Sequence, residues 1–316
     1  MSDPDPNGGP RGETGGDGQL RSYYGRPIVK APPWSDEIPW YLFTGGVAGG
    51  SATLGLAARL AGNQRLAANA MTASAVGVAA SLPLLVHDLG RPSRFHHMLR
   101  VVKPTSPMSV GSWLLATLGP AAIGAAVAER LGIFPRLRRV AEVVAGTLGP
   151  PLSTYTGVLV ANTAVPTWHA AGQELPLLFA GGAAASAGGL AVITTPPSEA
   201  GPARRLAVGG ALLELGTVEV MRRRLGPLAE PYHQGSARRL SRIATATAAT
   251  GALLLGLGRR SRAACAAGGA LVLVSSACQR FAVYRAGIAS AADPGYTVSQ
   301  QRERIASTGQ EPATRR

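Results

Sequence analysis

Cysteine, histidine and charge are all scarce in this 316-residue chain, and each shortage removes a class of function. The two cysteines, Cys265 and Cys278, stand together in the last apolar run, so no Cys-rich motif can hold an iron–sulfur cluster here. They read as small packing or lipid-facing residues. The five histidines, His87, His96, His97, His169 and His233, fall at the ends of apolar runs or between them, whereas a membrane haem needs two at matched depth inside helices. That placement argues against bound haem. Only 15% of residues are charged, against about a quarter in an ordinary soluble domain. Acids are the rarer sign, 17 against 31 Lys and Arg, for a net charge of +14. A nucleic-acid surface does not follow, because the arginines sit in short clusters between apolar runs, as positive charge does where it flanks membrane helices. The chain does not open with a basic stretch and an apolar core, so insertion is expected to rely on the first spanning helix rather than a signal peptide.

What the chain has in quantity is Ala, Gly, Leu and Val. The mean hydropathy of +0.14 averages polar ends with this apolar centre. A hydrocarbon core about 30 Å thick needs roughly 20 apolar residues per helix. Eight runs approach that length, at 39–60, 67–87, 108–128, 140–161, 174–195, 203–220, 240–257 and 264–286, the sixth and seventh being short. The alternating strands of a membrane barrel do not fit such continuous runs. The expected fold is therefore an all-α integral membrane bundle of about eight transmembrane helices, occupying 39–287. Before it, 1–20 reads as a disordered tail and 21–38 as an extended cytoplasmic arm, and 288–316 reads as a polar C-terminal tail. Gly45 with Gly49, Gly46 with Gly50, and Gly181, Ala185 and Gly189 recur four apart, a spacing that lets helix backbones approach closely in lipid. A genome rich in Ala and Gly codons would produce the same pattern. Basic residues fall mainly on the side that holds both termini, which places the termini in the cytoplasm.

On that side lies LLVHDLGRPSRFHHMLR, residues 84–100, where polar residues crowd the end of the second run. Gly90 and Pro92 specify a helix end with a fixed turn, and Asp88 beside Arg91 offers a pair that can both donate to and accept from a polar headgroup. A charged loop facing lipid phosphates would contain the same residue types. PTSPMSVGSW, residues 104–113, follows, with Pro107 suited to the first turn of the third helix.

The pairing of HDLGRPSRFHHML with SPMSVGSW, together with WYLFTGGVAGG in the first helix, resembles the NrfD and polysulfide reductase membrane-subunit family. Its members carry an aspartate-leucine-glycine-arginine-proline stretch followed by proline-methionine-serine-x-glycine-serine-tryptophan. The likeness also takes in YTGVLVANTAVPTW and LPLLFAGGAAASA, and so covers most of 34–220. It implies a haem-free membrane subunit that exchanges electrons between menaquinone, or another quinone, and a docked four-cluster-type iron–sulfur subunit. A molybdenum- or tungsten-containing catalytic subunit lies beyond that partner. It also implies a quinone site at the ends of the first three helices, where Glu37, Trp40, Asp88, Arg91, Ser112 and Trp113 can gather, with Tyr155 from the fourth. Some members have a histidine near the start of the first helix; here WSDEIPW offers Asp36 and Glu37, so that hydrogen-bond partner is not carried over. The residue types agree with the chemistry: a quinone headgroup needs proton-exchanging groups and apolar, aromatic walls. Taken alone, Trp40 and Trp113 would read as interfacial anchors.

Acids inside spans are costly enough to suggest function. Glu142, Glu214 and Glu219 are candidates for a proton pathway, although Glu219 stands beside Arg222 to Arg224 and can simply pair with them, and Glu214 can simply bond a neighbouring helix. A proton-coupled transporter and a purely structural anchor are the rival functions. The resemblance and the inward docking face together point to a formate dehydrogenase or a related molybdopterin oxidoreductase.

Overall fold

The computed structural model describes residues 28–298, apart from 31, 90, 259 and 260. The tail expected at 1–20, residues 21–27 and 31 of the arm, Gly90 and most of the C-terminal tail lie outside the described residues. Local signals start several helices. Asn63 caps α2 (Gln64–His87), accepting a bond from the Leu66 N–H, and Ser106 with Pro107 opens α3 (Pro107–Leu131), which Gly132 ends at φ 66°. Ser261 caps α9 (Arg262–Ala292) in the same way. The remaining elements are α1 (Glu37–Leu60), α4 (Pro135–Ala161), the short α5 (Pro166–Ala170), α6 (Glu174–Thr194), α7 (Gly201–Leu225) and α8 (Gly235–Leu257). Tight 3₁₀ segments at Pro92–Leu99 and Gly226–His233 join α2 to α3 and α7 to α8.

Among the described residues, five helices, α2, α3, α6, α8 and α9, are long and apolar enough to cross a membrane. The others of comparable length, α1, α4 and α7, carry glycine, internal acids or flanking arginines that dilute their hydropathy. The sixth and seventh runs prove full-length, because arginine-bearing turns omitted from an apolar scan continue the helices at α7 and α8. The last helix likewise runs five residues past 287, where Ser290 and Ala291 remain buried. Large apolar side chains such as Val76, Ile123, Leu212 and Leu253 face outward, as they do on a surface solvated by lipid.

Helix α1 lies at the centre, against α2, α4, α6 and α9. Its glycines permit this: a Cβ on Gly49 would sit 2.6 Å from the Gly149 carbonyl oxygen of α4, and one on Gly50 would sit 2.7 Å from the Ala183 oxygen of α6. Such approach brings packing contacts that larger residues would block. It also satisfies broken backbone. Pro150 has no N–H to donate to Gly146, and the hydroxyl of Thr53 on α1 donates to that freed carbonyl at 3.3 Å. Between α6 and α7, a Cβ on Gly210 would meet the Ala185 nitrogen at 2.3 Å, while Gly216 has nothing within 4 Å. Gly210→Ala should therefore lower stability by about 1–3 kcal/mol through overpacking, whereas Gly216→Ala should be neutral or gain up to about 1 kcal/mol. Thermal unfolding in detergent reads the difference, and equal shifts would contradict this packing.

Candidate functional site

A cavity of about 190 Å³ opens where α1, α2, α3 and α4 diverge at the end that holds Trp34 and Asp88. Helical spacing decides which side chains reach it. On α1, Ile38, Tyr41 and Leu42 stand on the buried face continued by Gly45, and on α3 Met108 and Ser112 share one face. Met98, from the 3₁₀ segment after α2, closes one wall.

The polar atoms are few and held. Asp88, the residue that ends α2, accepts from the Ser35 backbone N–H at 2.9 Å and the Ser35 hydroxyl at 2.6 Å, both on Oδ1. Its Oδ2 has no hydrogen-bond partner among the described residues. The buried hydroxyls of Tyr41 and Tyr155 bond to each other across α1 and α4. Ser112 donates to the Met108 carbonyl at 2.8 Å, a bond that leaves its oxygen able to accept. The segment carrying Ser35 is itself fixed. Trp34 stacks on Trp168 with ring centres 5.5 Å apart, Tyr284 donates to the Trp34 carbonyl at 2.5 Å, and Arg285 pairs with Asp36 at 2.7 Å. Part of the arm thus straps the cavity mouth to α9.

Of the residues expected at a quinone site, Asp88, Ser112 and Tyr155 line this cavity. The other four do not. Glu37 pairs with His87 at 3.2 Å beside it. Trp40 is 47% exposed and meets the Phe281 ring edge-on, because residue 40 falls on the outer side of the helix face that holds Tyr41. Trp113 donates to the Val101 carbonyl at 3.4 Å on the outside of α3. Arg91 is exposed, and the expected Asp88–Arg91 pair does not form, since Ser35 occupies the carboxylate instead. Sequence reasoning missed Tyr41, Trp34 and Ser35. The 38, 41, 42, 45 spacing could have found Tyr41; the pairing of Ser35 with Asp88, 53 residues apart, left no local signal.

The deeper acids separate into three situations. Glu142, 3% exposed at the far end of the bundle, bonds Arg59 at 2.8 Å and Arg138 at 3.0 Å, and both arginines also reach Glu129. Two acids and two bases make a locally neutral quartet. Glu214 pairs at 3.1 Å with Arg280, which also donates to the Ser276 hydroxyl at 2.8 Å and the Phe179 carbonyl at 2.8 Å and lies over the Phe179 ring. Glu219 is exposed and pairs with Arg223 one turn on, at 2.6 Å.

A family described as Polysulphide reductase, NrfD matches residues 29–196, which run from the cavity strap to the end of α6. The chain belongs to the NrfD family. NrfD proteins are the membrane subunits of polysulfide reductase-like complexes and typically partner with an iron–sulfur subunit and a molybdopterin catalytic subunit, so this chain is a multi-pass membrane protein. No curated protein matches it. The double motif therefore marks an NrfD protein, with its aspartate at the cavity and its serine on the facing helix.

Arg280 had no role in the sequence reading, yet it is 1% exposed. Removing one partner of a buried ion pair leaves a bare charge at a cost of about 3–5 kcal/mol, whereas replacing both with neutral groups costs far less. Arg280→Gln should therefore destabilise the NrfD bundle by about that amount, and Glu214→Gln with Arg280→Gln should recover most of it. Unfolding in detergent measures both; equal losses would contradict a true charge pair.

Proposed function

We propose that the cavity bounded by α1 to α4 receives a quinone headgroup and that the chain passes electrons between the quinone pool and an iron–sulfur subunit docked on the same, cytoplasmic side. The observation that carries this reading is the meeting of Asp88, Ser112, Tyr155 and Tyr41 in one mainly apolar cavity. Pockets that enclose drug-sized ligands run to about 300–1,000 Å³. A space of about 190 Å³ suits a flat ring, with the isoprenoid tail left among the outward apolar residues. When bound, a quinone supplies a two-electron, two-proton couple. Ile38, Leu42, Leu85 and Leu159 provide walls for its ring. The Tyr41–Tyr155 pair can donate a hydrogen bond, and the open oxygen of Asp88 can accept or hold a proton.

Proton supply from the opposite face is best supported along α1 and α4. Glu142 is followed by Thr53, which bonds to Gly49 and Gly146, then by Ser153, which bonds to Gly149, and then by Tyr155 at the cavity. Glu214 lies away from this row, in a pair that joins α7 to α9, and Glu219 lies exposed at the end of α7. In this reading the electron's other station is a cofactor in a partner chain, since the cysteines and histidines of this sequence are not spaced to ligate a cluster or a haem. Formate dehydrogenase is the partner assignment we favour, since positive charge places the docking face inward.

Asp88→Asn keeps shape and loses the proton-exchanging group. In the assembled complex, quinone-linked turnover should fall about 100-fold or more, with the subunits still co-purifying. Trp40→Phe, outside the cavity, should retain near-normal turnover. Full activity in Asp88→Asn, or loss of assembly with normal activity in the complex that remains, would overturn the quinone site in favour of an anchor.

A further inference from the structure

The part of the chain beyond the family match, α7 to α9, contains a second cavity, of about 340 Å³, on the same side of the bundle. Arg222, Tyr232, His233, Arg238 and Arg242 line it, with no acid among them. Three guanidinium groups and an imidazole converge where α7 ends and α8 begins. Helix α8 has no acidic residue in its first turn, and Arg238 stands there instead, where the helix dipole is positive. The side chains of Arg238 and Arg242 make no ion pair or hydrogen bond among the described residues. A structural charge network would pair them; this arrangement leaves repulsion that a bound anion would relieve.

Two buried atoms point the same way. The Tyr232 side chain is 1% exposed, yet its hydroxyl has no partner, and the Arg222 Nε is also buried and unpartnered although another nitrogen of that group bonds Ser241. Close to the lining arginines along each helix, apolar side chains face outward: Ile243, the residue after Arg242 on α8, is 46% exposed, and Val220, two residues before Arg222 on α7, is 58% exposed. A cationic pocket at the start of α8, a helix long and apolar enough to cross a membrane, with outward apolar residues further along that helix, has the layout of a phospholipid: phosphate above, acyl chains below.

We infer that this pocket binds the phosphate of an anionic phospholipid, with Arg222, Arg238 and Arg242 as its charge partners and the Tyr232 hydroxyl as a donor. The site is separate from the quinone cavity and stands or falls without it. The bordering apolar surface favours a lipid over free phosphate or an acidic partner segment.

Native mass spectrometry of the purified full chain, titrated with dioleoylphosphatidylglycerol or dioleoylphosphatidylcholine, tests it. Phosphatidylglycerol should occupy one site more tightly than phosphatidylcholine, and millimolar inorganic phosphate should not displace it. At about fivefold per arginine, Arg238→Gln with Arg242→Gln should weaken phosphatidylglycerol binding about 25-fold and leave phosphatidylcholine binding unchanged. Arg238→Lys with Arg242→Lys, which keeps the charge, should retain most of it, and Tyr232→Phe should weaken it severalfold. Equal binding of the two lipids, undiminished phosphatidylglycerol binding in the glutamine variant, or displacement by inorganic phosphate would overturn the assignment.

Discussion

Backbone-to-backbone approach of α1 to α4 and α6 is the constraint on which the remaining features rest. In hydrocarbon, apolar surface gains little from leaving lipid, so helices are held by close packing and by polar contacts across their interfaces. Gly49, Gly50 and Gly149 permit that approach in the middle of the bundle. Towards the strap end the residues become bulky, with Ile38, Tyr41, Met108 and Tyr155 facing inward, and the helices part. The cavity is the space left where small residues give way to large ones.

The same logic assigns each ionisable group its company. The Arg59, Arg138, Glu129 and Glu142 quartet and the Arg280–Glu214 pair are locally neutral, as charge withdrawn from water must be. The arginines around Tyr232 stand at the end of the bundle with no acid lining their pocket, and the proposed lipid phosphate would supply the missing charge. Neutral interiors and uncompensated margins are therefore two answers to one electrostatic problem.

The helical bundle was legible because a bilayer imposes a length on apolar runs, and the double motif was legible because its residue order is specific. Boundaries were read less well: α7, α8 and α9 extend through arginines and small residues that a hydropathy scan discounts. Within the cavity, residue type favoured Trp40 and Trp113, which helical phase turns outward; it leaves Ser112, which was expected there, and Tyr41, which was not, inside. The Ser35–Asp88 bond and the Trp34–Trp168 stack join segments far apart in the chain, so only the folded chain brings them together. Arg280 and Glu214 were both visible as charges in apolar runs, but nothing local paired them.

The central claim is that an aspartate, a tyrosine pair and a serine hold a redox-active ring between the first four helices. A cryo-EM map of the complex prepared with a tight-binding menaquinone analogue tests it most directly. The account predicts ring density within hydrogen-bonding distance of Asp88 or the Tyr41–Tyr155 pair, beneath the strap at Trp34. Ring density at another place on the bundle, with this cavity empty, would contradict it.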